Sequence, residues 1–216
     1  MTSFDDSAFK IAEFLLQIKA IKLSPDKPFT WASGRKSPIY CDNRKTLSYP
    51  QIRTYIRQEY VNTINKHFGK PDVIAGVATG GIAQGALIAQ EMGLPFVYIR
   101  SEAKKHGLTN MIEGVVEKGQ SVIVIEDLIS TGGSSLKAVD ALKEAGCVVK
   151  GMVAIFTYGF DEAADNFKKA NIIVKTLTDY NVLIDEALKK GYIDEKDVES
   201  LKQWRKDPAN WGVVNN

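Results

Sequence analysis

Residues 122–135 read VIVIEDLISTGGSS, and this stretch decides the fold. Its first four residues are apolar and β-branched, which is typical of a strand that is buried on both faces of a sheet. Two acids, Glu126 and Asp127, follow at the predicted carboxyl end of the strand, and a Ser-Thr-Gly-Gly turn leads into a helix from Ser134. The stretch therefore predicts a strand, a tight turn and a helix in succession, as in a parallel α/β sheet.

The polar residues of this stretch suit a sugar phosphate. Glycines let the turn direct backbone N–H groups inward, and the N-terminus of the following helix adds positive potential, so the turn can bind a phosphate. Glu126 and Asp127 would repel a phosphate, but they can accept hydrogen bonds from two vicinal hydroxyls or hold a hydrated Mg²⁺. The alternative is that these residues serve only as turn and cap formers. The sequence contains neither a Walker A loop nor a Gly-x-Gly-x-x-Gly fingerprint.

The chain around this stretch alternates short apolar runs with segments of helical composition. Strand-helix-strand order predicts parallel pairing with right-handed crossovers. We therefore expect an open, doubly wound parallel α/β sheet flanked by helices, with ligands beyond the carboxyl ends of the strands. The predicted strands are residues 73–77, 96–99, 121–125, 148–156 and 172–177, and the helices between them are residues 82–92, 134–145 and 161–170.

Helices are also predicted on both sides of this core. Apolar residues three and four apart indicate an amphipathic helix at residues 5–19. Ser48 is predicted to cap a second helix that ends near Phe68, and Asp194 to cap a helix at residues 196–206.

We predict a single domain of residues 1–216. Its parallel-sheet core spans about residues 70–178, and residues 1–47 form a small N-terminal hood. Residues 101–118 are polar, contain several glycines and are longer than an ordinary connection, which is typical of a mobile lid.

Composition excludes several classes of protein. The 28 Lys and Arg residues against 26 Asp and Glu give a formal charge of +2, so an extended nucleic-acid surface is not expected. The apolar runs are of strand length, and Cys41 and Cys147 stand in no metal-ligand spacing. We expect a cytoplasmic protein with no membrane segment, structural zinc or disulfide framework.

The motifs resemble those of a known family. VIVIEDLISTGGSS resembles the phosphoribosyl pyrophosphate (PRPP) signature of type I phosphoribosyltransferases. Three further stretches narrow the resemblance to the orotate phosphoribosyltransferases: FTWASGRKSPIYCDNR (residues 29–44), GVATGGIAQGA (residues 76–86) and YIRSEAKKHG (residues 98–107). The resemblance implies Mg²⁺-dependent transfer of phosphoribosyl from PRPP to orotate in pyrimidine (UMP) synthesis, by a homodimer.

The resemblance also implies where PRPP binds. The turn of residues 128–134 would hold the 5-phosphate, the two acids would meet the ribose hydroxyls, and Mg²⁺ would arrive on PRPP with water linking it to Asp127. The residues assigned to PRPP are Glu126, Asp127, Leu128, Ile129, Ser130, Thr131, Gly132, Gly133 and Ser134, with Ala78, Thr79 and Gly80 as the pyrophosphate loop.

For orotate, the resemblance implies that the strand around Tyr40 and Cys41 presents backbone groups to the pyrimidine, and that Ser130 touches the ring. Arg35, Lys36 and Arg44 are nearby cations that could meet the orotate carboxylate or the phosphates. An equally weighted alternative gives Arg44 a purely structural role.

The lid carries the remaining cations. The resemblance implies that Arg100, Lys104 and His106 bind PRPP and act with Asp127 in catalysis, and that the lid crosses into the active site of the partner subunit. A cationic cluster of this kind is otherwise typical of a solvated surface.

The chain departs from some family members at three positions. Ala32, Gly80 and Ser101 stand where those members carry lysines. Either other cations replace them, namely Arg35, Lys36, Arg44 and Lys105, or pyrophosphate is bound more weakly, or the base is a different one.

The sequence alone leaves three other functions open, one of which is a catalytically silent binding module on this fold. A purine phosphoribosyltransferase is disfavoured by the FTWASGRKSPIY segment and by the expectation that no aromatic-rich base loop follows the fourth strand. A nucleotide-sensing regulator would need a basic face or an added winged helix, and the sequence indicates neither.

Overall fold

The amino-terminal part of the chain consists of two helices joined by short strands. The computed structural model describes residues 4–31, 34, 36–102 and 111–211. The four short strands form two antiparallel pairs, β1 with β4 and β2 with β3. In chain order the elements are α1 (Phe4–Gln17), β1 (Ile21–Leu23), β2 (Phe29–Thr30), β3 (Lys36–Ser37), β4 (Ile39–Cys41), a 3-10 helix (Asn43–Ser48) and α2 (Pro50–His67).

The remainder forms a six-stranded sheet with connecting helices. Its elements are β5 (Val73–Val77), α3 (Gly80–Met92), β6 (Phe96–Ile99), β7 (Ile112–Glu113), β8 (Ser121–Ile129), α4 (Gly133–Glu144), β9 (Val148–Thr157), α5 (Asp161–Lys169), β10 (Val174–Asp179), α6 (Tyr180–Lys189) and α7 (Glu195–Lys206). The strand order is β10-β9-β8-β5-β6-β7. All neighbours pair in parallel except β7, which is antiparallel to β6.

Apolar side chains cover both faces of the sheet. Ile74 and Ile123 are paired across β5 and β8 and pack in the core formed with α1, α2 and α6. Val73 and Val122, one residue earlier in each strand, pack in the core formed with α4 and α5. Because successive strand residues point to opposite faces, a strand covered on both sides must be apolar throughout. The predicted doubly wound α/β fold is confirmed.

The strand β8 is longer than predicted. It was expected to end at Ile125, but Leu128 and Ile129 continue the ladder opposite Phe156 and Thr157 of β9. Glu126 and Asp127 therefore lie within the paired part of β8 rather than beyond its end. The reason is that β9 continues to Thr157. Its backbone N–H and C=O groups pair with those of β8 regardless of the side chains that β8 carries.

Two other boundaries differ from the predictions. Helix α2 begins at Pro50 with Tyr49 in the N-cap position, and Ser48 ends the preceding 3-10 helix instead of capping α2. The predicted lid at residues 101–118 contains the short strand β7, whose Ile112 pairs with Ile99. By contrast, Asp194 caps α7 as predicted, in a reciprocal capping box with Asp197.

Within the described ranges, no helix has the length and apolar character that crossing a membrane requires.

Candidate active site

The acid pair lies where β8 meets the start of α3. A Cβ built on Gly81 would overlap the carbonyl of Ile125, and one built on Gly80 would overlap the carboxylate of Asp127. The two glycines thus let α3 begin directly against β8. Gly80, the last residue of the predicted pyrophosphate loop, is therefore brought next to Asp127.

Glu126 is a buried carboxylic acid whose side chain accepts two hydrogen bonds. Its side chain accepts from the Ser135 hydroxyl at 2.8 Å and from the backbone N–H of Asp127 at 3.1 Å. Burial, and then the neighbouring charge of Asp127, raise the pKa of Glu126 to about 8. Burial also raises the pKa of Asp127. Near neutral pH the ligand-free pair therefore retains a proton on Glu126.

Two buried side chains hold the backbone of the acid pair. The Tyr60 hydroxyl of α2 donates to the carbonyl of Glu126 at 2.6 Å, and the Asn43 amide donates to the carbonyl of Asp127 at 2.7 Å. Tyr60 is fully buried and Asn43 is 1% exposed. Neither was predicted as a site residue. Asn43 lies in a motif quoted from the sequence, whereas Tyr60 is part of the apolar stripe of a helix and gives no signal of its own.

We expect Tyr60→Phe to lower the free energy of unfolding by about 1–3 kcal/mol, because it leaves the buried Glu126 carbonyl without its donor. Denaturant unfolding monitored by fluorescence measures the change. Tyr55→Phe is the matched control, since Tyr55 lies on the same helix and its ring contact with Phe14 survives the change. Equal stability of the two variants would contradict the anchoring role of Tyr60.

The phosphate turn is shorter than predicted. It was assigned to residues 128–134, but Leu128 and Ile129 belong to β8, and the Ile129 side chain is 2% exposed. The irregular segment is Ser130, Thr131 and Gly132, and Gly132 has a φ of 82°, which favours glycine. Helix α4 starts at Gly133, so Gly133 and Ser134 form its exposed first turn. Four free N–H groups at this helix start are suited to a phosphate.

A cleft of about 310 Å³ lies between the short N-terminal strands and the end of β8. It brings together three of the four residues predicted to contact the base: Tyr40, Cys41 and Ser130. Tyr158, which follows β9 and was not predicted as a base contact, also lines the cleft. The remaining lining residues are Thr30 and Trp31, which were not predicted as site residues, and Leu128, which was predicted to bind PRPP.

Cys41 connects this cleft to the acid pair. Burial raises the pKa of the Cys41 thiol well above its usual range, so the thiol remains a neutral donor. It donates to the side-chain oxygen of Asn43 at 3.3 Å, and the Asn43 amide donates to the Asp127 carbonyl. One buried asparagine thus joins the cleft to β8.

The described cations that were predicted to bind the substrates contact other residues of the chain. Arg44, the fourth predicted base contact, does not line the cleft; its Nε donates to Asp42 at 2.7 Å, and its charge lowers the pKa of Asp127 against the effect of burial. Lys36 donates to Thr30 at 2.9 Å, and Arg100 lies 3.5 Å from Glu113 of β7. The predictions for Arg35, Lys104, Lys105 and His106 lie outside the described residues.

The site fits a metal ion that arrives with its ligand. Across the described part of the chain, no three His, Cys, Asp or Glu side chains converge as a metal cage. Asp127 alone offers a carboxylate beside the pyrophosphate loop. One carboxylate suits a hydrated Mg²⁺ that is carried by phosphates.

The raised pKa of Glu126 predicts a pH dependence of stability. The folded chain keeps this proton up to about pH 8, whereas an unfolded chain releases it near the ordinary pKa of 4.5. The stability that Glu126 contributes is therefore complete below about pH 4.5 and is lost as pH rises towards about 8. We expect Glu126→Gln to become progressively more stable than wild type over this interval, as measured by denaturant unfolding of the ligand-free protein.

The control for this pH experiment is Glu144→Gln, because Glu144 is exposed on α4. Its difference from wild type should stay small at every pH. A Glu126→Gln difference that is constant with pH would show that the buried carboxyl is already ionised.

Comparisons with known proteins agree with this geometry. A family model for the phosphoribosyl transferase domain matches residues 47–189. The orotate phosphoribosyltransferase of Porphyromonas gingivalis is 59% identical over 203 residues, which are 94% of this chain and 97% of that protein. The orotate phosphoribosyltransferase of Phocaeicola vulgatus is 62% identical over 93% of this chain and 94% of its own length.

Solved structures share the fold of this chain. UMP synthase of Leishmania donovani is similar with a TM-score of 0.77 and 30% identity, covering 93% of this chain and 43% of that one. The orotate phosphoribosyltransferase of Aeropyrum pernix has a TM-score of 0.74 at 24% identity, covering 85% of this chain and 99% of that one, and it shares the fold.

Proposed function

Because this chain belongs to the orotate phosphoribosyltransferases, which are pentosyltransferases of pyrimidine biosynthesis, we propose that the carboxyl edge of its sheet joins orotate to the phosphoribosyl group of PRPP. The products are orotidine 5′-phosphate and pyrophosphate. One observation carries the assignment of the site, namely that Asp127 lies between the pyrophosphate loop and the cleft. Its carboxylate occupies the position that a Cβ on Gly80 would take, and Asn43 links its backbone carbonyl to the Cys41 thiol of the cleft by hydrogen bonds.

Each part of the substrate has a place in this arrangement. The 5-phosphate lies on the turn of Ser130, Thr131 and Gly132 and the N-terminus of α4, where N–H groups converge. The ribose hydroxyls meet the acid pair, and the pyrimidine enters the cleft lined by Tyr40 and Tyr158. Flat aromatic walls suit a planar base.

The acid pair offers acceptors to the ribose. The carboxyl groups of Glu126 and Asp127 accept hydrogen bonds from the two vicinal hydroxyls. The C1–O bond of PRPP breaks through an oxocarbenium-like state, and the negative charge of Asp127 beneath the ribose stabilises it. When bound to pyrophosphate, Mg²⁺ supplies charge neutralisation of the leaving group.

The lid completes this proposal. Arg100 follows β6, and its backbone N–H donates to Met111, so both ends of the segment that carries Lys104 and His106 are fixed at the sheet edge. We assign the cations of this segment to the pyrophosphate of the partner subunit in a cytoplasmic homodimer. Closure of the lid would keep water from the sugar cation.

The function is tested by mixing the protein with orotate, PRPP and Mg²⁺ and following the loss of orotate absorbance. We expect turnover with orotate and none with adenine, guanine or hypoxanthine. Turnover with a purine base alone would overturn the assignment, and salt-dependent binding of nucleic acid without turnover would favour a regulator.

A further inference from the structure

A small cavity of about 130 Å³ adjoins the base cleft and shares Trp31 and Ser130 with it. The end of α7 lines this cavity through Arg205. Helix α7 lies beyond residues 47–189, the part of the chain that matches the general family model. A segment outside the shared domain therefore reaches the neighbourhood of the base.

Trp204 fixes the end of α7 against the wall of the cleft. Its side chain is 1% exposed, and its ring lies 5.9 Å from that of Trp31 and 5.5 Å from that of Tyr158. Trp31 and Tyr158 both line the base cleft. Both contacts are edge-to-face, a geometry that adds to the energy of burial. The position of the next residue, Arg205, is thus defined relative to the cleft.

The guanidinium of Arg205 is held at the loop after β9. Its Nη1 donates to the carbonyl of Gly159 at 3.1 Å. Gly159 has a φ of 68°, and a Cβ at this position would lie 3.0 Å from Nη1. A glycine here therefore provides both the turn and the room for the guanidinium. One bond to Gly159 leaves four of the five N–H groups of an arginine for other acceptors.

Orotate requires a cation at the base site because a carboxylate distinguishes it from uracil. Among the described cations near the cleft, Lys36 donates to the Thr30 hydroxyl and Arg44 to Asp42, whereas Lys206 lines the same small cavity as Arg205 from an exposed position. Arg205 has no ion pair within 4.0 Å among the described residues, although Asp161 and Glu162 line the same small cavity. A planar guanidinium is also the group best matched to a carboxylate.

We propose that Arg205 is a specificity-determining residue that binds the carboxylate of orotate from the C-terminal helix α7. The inference rests on the proposed function, because it requires the pyrimidine to occupy the cleft of Trp31 and Tyr158. It gives the base site a cation in addition to Lys36 and Arg44, the described cations of residues 29–44, which contact Thr30 and Asp42.

The test compares two nucleotides that differ only by this carboxylate. Titration calorimetry measures the Kd of orotidine 5′-phosphate and of uridine 5′-phosphate for wild type, Arg205→Gln and Arg205→Lys. We expect wild type to prefer the first nucleotide, and Arg205→Gln to reduce that preference by about 10-fold or more, the loss of one charge-assisted hydrogen bond. Arg205→Lys should keep part of the preference, and Kd for uridine 5′-phosphate should stay unchanged throughout.

The control is Lys202→Gln, which removes a charge from an exposed position of the same helix and should leave the preference intact. If Arg205→Gln does not fold, Arg205→Met, which keeps the apolar stem, replaces it. An unchanged preference in the Arg205 variants, or its loss in Lys36→Gln instead, would overturn the inference and leave the proposed function standing. Failure of wild type to bind either nucleotide would overturn the proposed function itself.

Discussion

Asp127→Asn is expected to lower kcat/KM by about 10²- to 10³-fold while the protein stays folded, an effect comparable to the removal of one electrostatic contact to a transition state. The change is isosteric, and the Asn43 amide still donates to the backbone carbonyl of residue 127. What disappears is the negative charge between the pyrophosphate loop and the cleft. Steady-state kinetics with orotate and PRPP, together with thermal unfolding, separate the loss of rate from any loss of stability.

Asp140→Asn is the matched control for this prediction, because Asp140 is exposed on α4. Its kcat/KM should equal that of wild type. If Asp127→Asn retained the full rate, the acid pair would have no role in chemistry, and the site would be a binding module. A reduced kcat at unchanged KM for PRPP would locate the effect of Asp127 in the transition state rather than in substrate binding.

The fold follows from local patterns in the sequence, and the ends of its elements depend on distant partners. Val122 to Ile125 specify a buried strand because four consecutive apolar residues require cover on both faces. The extension of β8 through Ile129 depends on the length of β9, which is a property of residues 148–157. No pattern within the stretch that contains the acids could reveal this.

The candidate site likewise contains residues that a local motif indicates and residues whose role depends on distant partners. Ser130, Tyr40 and Cys41 could be placed because each lies in a short motif with a chemical use. Asn43 and Tyr60 act through hydrogen bonds to backbone carbonyls. Because every residue of β8 has such a carbonyl, the sequence does not show which residue each of them contacts. The contribution of α7 was not predicted because it depends on packing between segments that are far apart in the chain.

Lys104→Ala is expected to lower turnover by about 10²-fold or more, because it removes a cation from the leaving pyrophosphate. The described residues show where the segment that carries Lys104 begins. The Ala78 backbone N–H donates to Ile99 at 2.8 Å, so the segment that begins after Ile99 starts beside the pyrophosphate loop. Lys104→Arg should retain more activity, and Lys137→Ala, at an exposed position on α4, should be neutral. Thermal unfolding should be unchanged in all three variants.

Mixing of two inactive variants tests whether the lid acts in the partner subunit. Co-expression of Lys104→Ala and Asp127→Asn chains with different tags allows the mixed dimer to be purified. If the lid acts across the dimer, one site combines an intact Asp127 with an intact Lys104 from the partner, and turnover per dimer recovers to about half that of wild type. If the lid acts within its own chain, both sites of the mixed dimer carry one defect and stay inactive. A mixed dimer without activity would therefore contradict the shared site and leave the role of Lys104 itself to the single-variant kinetics.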